Sequence, residues 1–252
     1  MRVVVTGQVG LDKARFLEAA ADAARRAGHE LELFHVGRMM YAEAPDVAVG
    51  KILDLPLSRL QSLRRSVFKD ILAASRNKPA VLVNTHATFR WRHGLFYAFD
   101  HDQMQALDAD LYVVLVDHID RVHGRLARDG HLDHTLKDLM VWREEEILAT
   151  ELLSRIVRGH GCFYILALGP EPAPGAAEPA EPGNAEALAR LLFQGDARKA
   201  YLSFPMSHMG GAAEAMAEIE QFRRQMKRSL LCFDPADLEE KCLCDLAIEA
   251  AQ

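Results

Sequence analysis

Five short apolar runs, separated from one another by helix-length stretches, restrict this chain more than any other feature. They are "RVVVTG", "ELELFHVG", "PAVLVNTH", "LYVVLVD" and "CFYILAL", with helices expected over 13–27, 57–76, near 101–107, near 118–127 and over 136–158. Apolar strands with helical crossovers cannot form hairpins with one another and close instead as a five-stranded, doubly wound parallel sheet in an α/β fold. Such sheets take ligands at the carboxyl ends of their strands, where "TGQVG", "HVGR", "NTHATFR" and "DHIDR" would converge. Half of the 252 residues are apolar, ample for that core.

The first of those corners has the outline of a phosphate-binding loop. After Val3 to Val5 come Gly7, Gln8, Gly10 and Lys13, then a helix. The pattern G-x-x-x-x-G-K-[ST] works because backbone N–H groups and a helix N-terminus face the anion while a lysine offsets the outer phosphates. Here Asp12 stands where the second glycine belongs and Ala14 where the hydroxyl belongs. A carboxylate in that nest opposes phosphate, and the missing hydroxyl normally helps to hold Mg²⁺. The alternative reading is an ordinary strand-turn-helix corner, with Asp12 favoured by the helix dipole.

A second boundary is equally plain. "GPEPAPGAAEPAEPGNAE", residues 169–186, is rich in Pro, Ala, Glu and Gly and reads as an extended tether. It separates a domain over 1–168 from a small unit over 187–252, in which "ARKAYLSF", a helix over 211–228 and "SLLCFD" make one β-α-β element, followed by a terminal helical run from about 236. Residues 170–252 carry 8 basic and 14 acidic groups, which is the whole of the formal net charge of −6. That charge gives no general attraction to nucleic acid. The small unit has little core of its own, so its apolar faces call for docking, a second copy of the chain, or further sequence at the C-terminus. No run is long enough to span a membrane and no leader is visible, which places the chain in the cytoplasm. Cys162, Cys232, Cys242 and Cys244 match no usual zinc spacing and read as buried apolar residues, so no metal site is expected from them.

Taken in order, "VVVTGQVG", "ELELFHVGRMMYAEA", "LSRLQSLRRSVFKDIL", "PAVLVNTHATFR", "LDADLYVVLVDHIDRVHGRL" and "WREEEILATELL" resemble the archaeal-type adenylate kinase family from Arg2 to about Leu168. The resemblance implies a P-loop nucleoside monophosphate kinase fold that moves a phosphoryl group from ATP, with Mg²⁺, to a monophosphate acceptor. Carried over by position, Gly7, Gly10 and Lys13 would contact donor phosphates, with Asp12 and Ala14 at altered positions. Arg38 would lie where the acceptor is gripped, and Asn84 replaces the acid of a "DTH" triplet. In the C-terminal unit, 199–235 bears a weaker resemblance to the opening of nucleoside deoxyribosyltransferase-like domains; a plain β-α-β appendage with Pro205, Gly210 and Gly211 at turns explains the same residues.

Phosphoryl transfer rests on positioning and on cations that offset the transferring group's charge. Arg121, Arg125 and Arg128 share one helical face, Arg143 follows, and Arg90 and Arg92 flank Trp91. Lys13, Arg125 and Arg128 are therefore the catalytic candidates. A solvated basic face paired with Asp120, Asp129 and the "EEE" run is the competing reading. Of the 11 histidines most read as surface polar groups, including His131 and His134, and His86 alone sits at the mouth of the expected site. Two functions remain open: a nucleoside monophosphate kinase, and a nucleotide-binding module that keeps the fold with phosphoryl transfer weak or lost. Asp12, Ala14 and Asn84 favour the second.

Overall fold

In the computed structural model, residues 1–131, 134–169, 183–204 and 213–238 are described. The chain divides into two compact units, Met1–Ile165 and Leu166–Gln252.

The first unit begins with β1 (Arg2–Thr6), α1 (Lys13–Arg26) and β2 (Glu32–His35). Helix α2 (Val36–Glu43) starts directly from β2, so "HVG" is a strand-to-helix junction and not strand. Then come α3 (Leu57–Ser75), β3 (Val81–Asn84), the hairpin of β4 (Thr88–Trp91) and β5 (Gly94–Tyr97), α4 (His101–Leu107), β6 (Leu111–Val116), α5 (Ile119–Arg128), α6 (Leu136–Val157) and β7 (Phe163–Ala167). The parallel sheet runs β2-β3-β1-β6-β7. Its centre is dry: Val3, Val4 and Val5 pair with β3 on one side and β6 on the other, and all three are fully buried. Connections leaving the neighbours β1 and β6 run to opposite sides of the sheet, which opens a crevice at their carboxyl ends.

The antiparallel hairpin β4–β5 was not anticipated. It pairs Phe89 with Phe96 across the strands, at ring centroids 5.6 Å apart. The loop after β3 therefore has a rigid wall.

In the second unit, α7 (Asn184–Phe193) precedes β8 (Lys199–Tyr201), α8 (Ala213–Ser229) and β9 (Leu231–Phe233). β8 and β9 pair in parallel as a sheet of their own. Helix α7 starts inside the stretch read as tether; residues 170–182 and the terminal run beyond 238, with Cys242 and Cys244, lie outside the described residues. So do 205–212, the loop on which the deoxyribosyltransferase likeness turned. Cys162 and Cys232 are free and buried.

A carboxylate pair holds this unit together. Asp234 and Asp237 are buried, and Arg223 and Lys227, one turn apart on α8, reach both: Arg223 to Asp234 at 2.6 Å and to Asp237 at 3.2 Å, Lys227 at 3.0 and 2.7 Å.

Candidate functional site

The loop after β1 keeps the backbone of a phosphate loop. Gly7 has φ 146°, and a Cβ there would meet the Leu115 carbonyl oxygen at 2.8 Å. Gly10 has φ 88°, and a Cβ would strike Leu126 of α5 at 2.8 Å. Asp12 has φ 52° and ψ 40°, the left-handed conformation that the motif's glycine adopts freely, and it caps α1 with no side-chain hydrogen bond. Aspartate tolerates this region better than most residues, at a cost. Its side chain is exposed.

Lys13 is the core of the site and is only 7% exposed. Its ammonium group donates to the Gly7 carbonyl of its own loop and lies 3.1 Å from Nδ1 of His86. Burial pulls its pKa down from 10.5 to about 7, with the Glu146 carboxylate opposing part of that fall. His86 is pushed well below its ordinary value, first by burial and then by the Lys13 and Arg64 charges, so it faces Lys13 as a neutral ring.

Glu146 organises the rest, and sequence reasoning passed over it as one of an "EEE" run. Buried on α6, it accepts from Gly7 N–H at 2.9 Å, Ala87 N–H at 2.8 Å, Thr88 N–H at 2.7 Å and the Thr88 hydroxyl at 2.7 Å. One carboxylate thus ties the phosphate loop to the loop after β3. The signal was present in the helical period, since Leu139, Trp142, Glu146, Ala149 and Leu153 form the buried face of α6. Thr150, on the same face, meets Thr6 hydroxyl to hydroxyl at 2.6 Å.

The arginine stripe resolves differently from the expectation. Its acid is Asp117, at the end of β6 and 1% exposed. Arg125 reaches Asp117 at 2.7 Å and the Gly10 carbonyl at 3.4 Å, and Arg121 reaches Asp117 at 3.4 Å. Arg125 therefore anchors α5 to the loop, while Arg128 is exposed one turn further on. Arg143 lies 3.4 Å from Glu144. Arg90 and Arg38 are engaged elsewhere, Arg90 with Glu145 and the exposed Arg38 with Glu18 at 2.7 Å. Gln8 turns away from the loop to the Leu139 carbonyl at 3.3 Å, and Asn84 is held by His35 at 2.9 Å. His131 and His134 pack on Trp91 at 4.9 and 5.5 Å and are not the surface groups anticipated.

A cavity of about 310 Å³ opens beside this core, lined among others by Val9, Gly37, Arg64, Thr85, His86 and Phe89. Of the four stretches expected to converge, "TGQVG", "HVGR" and "NTHATFR" reach it, through Val9, Gly37 and His86, while no residue of "DHIDR" and not Lys13 is in its lining. Ala14 is not in its lining, nor is Arg38 or Asn84.

The donor set does not fit a directly held Mg²⁺. Position 14 carries no hydroxyl, Asp117 is claimed by two guanidinium groups, Asn84 is engaged with His35, and among the described residues no three His, Cys, Asp or Glu side chains gather as metal ligands.

Among known proteins the chain is similar to archaeal adenylate kinases. The adenylate kinase of Pyrococcus horikoshii is 27% identical over 157 residues, 61% of this chain and 76% of that one. That of Thermococcus kodakarensis is 28% identical over 158 residues with the same coverage. No family model matches the chain. The shikimate kinase of Bacteroides thetaiotaomicron superposes over 77% of this chain and 97% of its own, with a TM-score of 0.46 and 15% identity, a likeness too loose to argue from.

Proposed function

We propose that this adenylate kinase-like chain binds nucleotide at the loop after β1 and that its transfer of phosphate from ATP to a nucleoside monophosphate is weak or lost. The carrying observation is the change at Ala14: the loop retains its turn, its lysine and its helix N-terminus but offers no hydroxyl beside them. Binding an anion needs the N–H groups, the helix end and a cation, all of which remain. Transfer needs, in addition, a metal held against the donor phosphates and cations placed on the group in flight. Lys13 is turned onto Gly7 and His86, and Arg125 onto Asp117 and Gly10, so each must exchange an internal partner for phosphate. Asp12 adds a negative charge at the loop.

Within this reading Lys13 neutralises bound phosphate, which would restore its proton as the anion's charge replaces lost solvation. Glu146 keeps the Gly7 and Ala87 N–H groups in place, and Arg125 holds α5 over Gly10.

The test is a coupled assay of ADP formation from ATP and AMP with Mg²⁺, on the full chain and on Asp12→Gly/Ala14→Thr. Slow turnover by the unaltered chain is expected, with the double variant faster or binding Mg-ATP more tightly, by about tenfold for each 1.4 kcal/mol recovered. Robust turnover by the unaltered chain refutes the proposal.

A further inference from the structure

Arg64 lies on α3 among Leu60, Val67, Phe68 and Ile71, on the helix's buried face, and is 4% exposed. Its guanidinium forms no ion pair and no hydrogen bond with any described residue and lies over the Phe89 ring, 5.5 Å from the centroid. Burial lowers its pKa to about 10, so it remains charged at neutral pH. A buried cation without an acceptor is costly, and folded chains almost always supply one. Here the fold supplies an opening instead. Besides the loop cavity, Arg64 lines a second cleft of about 590 Å³ between α3 and the β4–β5 hairpin, and it is the one lining residue the two have in common.

The second cleft has the better chemistry for an anion. Leu57, Gln61 and Arg64 follow one another at helical spacing along its α3 wall, with Arg65 beside them. Phe96, Tyr97 and Phe99 form the opposite wall. Gln61 and Thr88 add hydrogen-bonding groups, and the lining's carboxylate, Asp100, is taken by Arg65 at 2.8 Å. The loop cavity, in contrast, already has a cation in Lys13 behind His86.

We propose that the cleft between α3 and the β4–β5 hairpin is a second ligand site, taking a small molecule with a flat apolar body and an anionic group that meets Arg64 at the cleft's inner end. Rings of the hairpin cover the body, as aromatic walls do for planar ligands. Phosphate monoester and carboxylate are both anions that a guanidinium pairs with.

Phenyl phosphate and benzoate serve as probes, titrated calorimetrically into the full chain and into three variants. The unaltered chain should bind at least one of them, and which one identifies the anion. Arg64→Met should weaken binding about tenfold or more, as loss of a charged hydrogen-bonding partner does. Because methionine removes a charge the free protein leaves unpaired, the same variant should melt at a higher temperature without ligand, whereas loss of a merely structural arginine would lower it. Tyr97→Glu, at a largely exposed position on the rim, should weaken binding by repulsion. Gly37→Leu fills the loop cavity from a position with open space around its Cβ and should leave probe binding unchanged. Absence of binding to the unaltered chain, insensitivity to Arg64→Met, or loss in Gly37→Leu would each overturn the proposal, the last by assigning the anion to the loop cavity.

Discussion

Replacing Lys13 with methionine should make the protein more stable near pH 6, although it removes the cation of the phosphate loop. A lysine with its pKa near 7 in the folded state and 10.5 when exposed is protonated in both states below about pH 7, and the folded state then carries the full cost of a buried charge. Between about pH 7 and 10.5 the unfolded chain holds more protons than the folded one, so the wild-type protein gains stability as pH rises. At about 1.4 kcal/mol per pH unit the fall in pKa caps the cost at roughly 5 kcal/mol. Methionine loses the hydrogen bonds to Gly7 and His86, together worth about 2–3 kcal/mol. The net gain at pH 6 is therefore on the order of 2 kcal/mol, or a melting temperature higher by about 4–8 °C for a unit of this size. It should shrink above pH 7, vanish at about pH 8.5 and be reversed by pH 10, where the wild-type amine is neutral and keeps its partners. His86 remains depressed in the variant because burial is the larger cause of its shift. Both tryptophans, Trp91 and Trp142, lie in the first unit, so tryptophan fluorescence during heating reads that unit within the full chain. A variant that melts at or below the wild-type temperature at pH 6, or a difference that does not change with pH, would refute the reasoning.

The sequence was most readable where local pattern and burial coincide. The five strands and the helices after β1, β3 and β6 follow from apolar runs and period, and α4 begins and ends where "HDQMQAL" does because Asp100 caps it, accepting from Gln103 N–H. The hairpin β4–β5 was hidden because the alternation in "TFRWRHGLFY" is short: Phe89 and Trp91 alternate with Arg90 and Arg92, but Leu95, Phe96 and Tyr97 run on without it, and only Gly94, at φ 80°, marks the turn. In the loop after β1, the turn glycines Gly7 and Gly10 and the start of α1 at Lys13 were legible from spacing. Glu146, Asp117 and Arg64 were not singled out, for one physical reason. Each is a charged residue at a position whose period or strand register puts it inside, and a reading that assigns charge to the surface passes over them. Arg38 and Arg128 show the converse case: their charge suggested the site, and the structure has both exposed, Arg38 beside Glu18.

Two further predictions rest on such buried charges. Arg223→Met should leave Asp234 and Asp237 with Lys227 as the remaining basic side chain shown bound to them and cost the second unit about 3–5 kcal/mol; amide exchange of β8 and β9 in the full chain should accelerate, and unchanged exchange would argue that the pair contributes little. Glu146→Ala removes the acceptor of three backbone N–H groups and the Thr88 hydroxyl, all on buried residues, at about 1–3 kcal/mol for each group left unpaired. Loop relaxation recovers part of this, so a loss of about 3–6 kcal/mol is expected. Glu146→Gln separates charge from geometry: the amide oxygen keeps two of the four bonds while its NH₂ confronts the other two donors, so the loss should lie between wild type and alanine. Because the same carboxylate also raises the pKa of Lys13, the glutamine variant should shift the Lys13 titration to lower pH, a change visible by ¹⁵N NMR of the side chain. A glutamine variant as stable as wild type with an unmoved Lys13 titration would mean that Glu146 neither holds the loop nor sets the charge of its lysine.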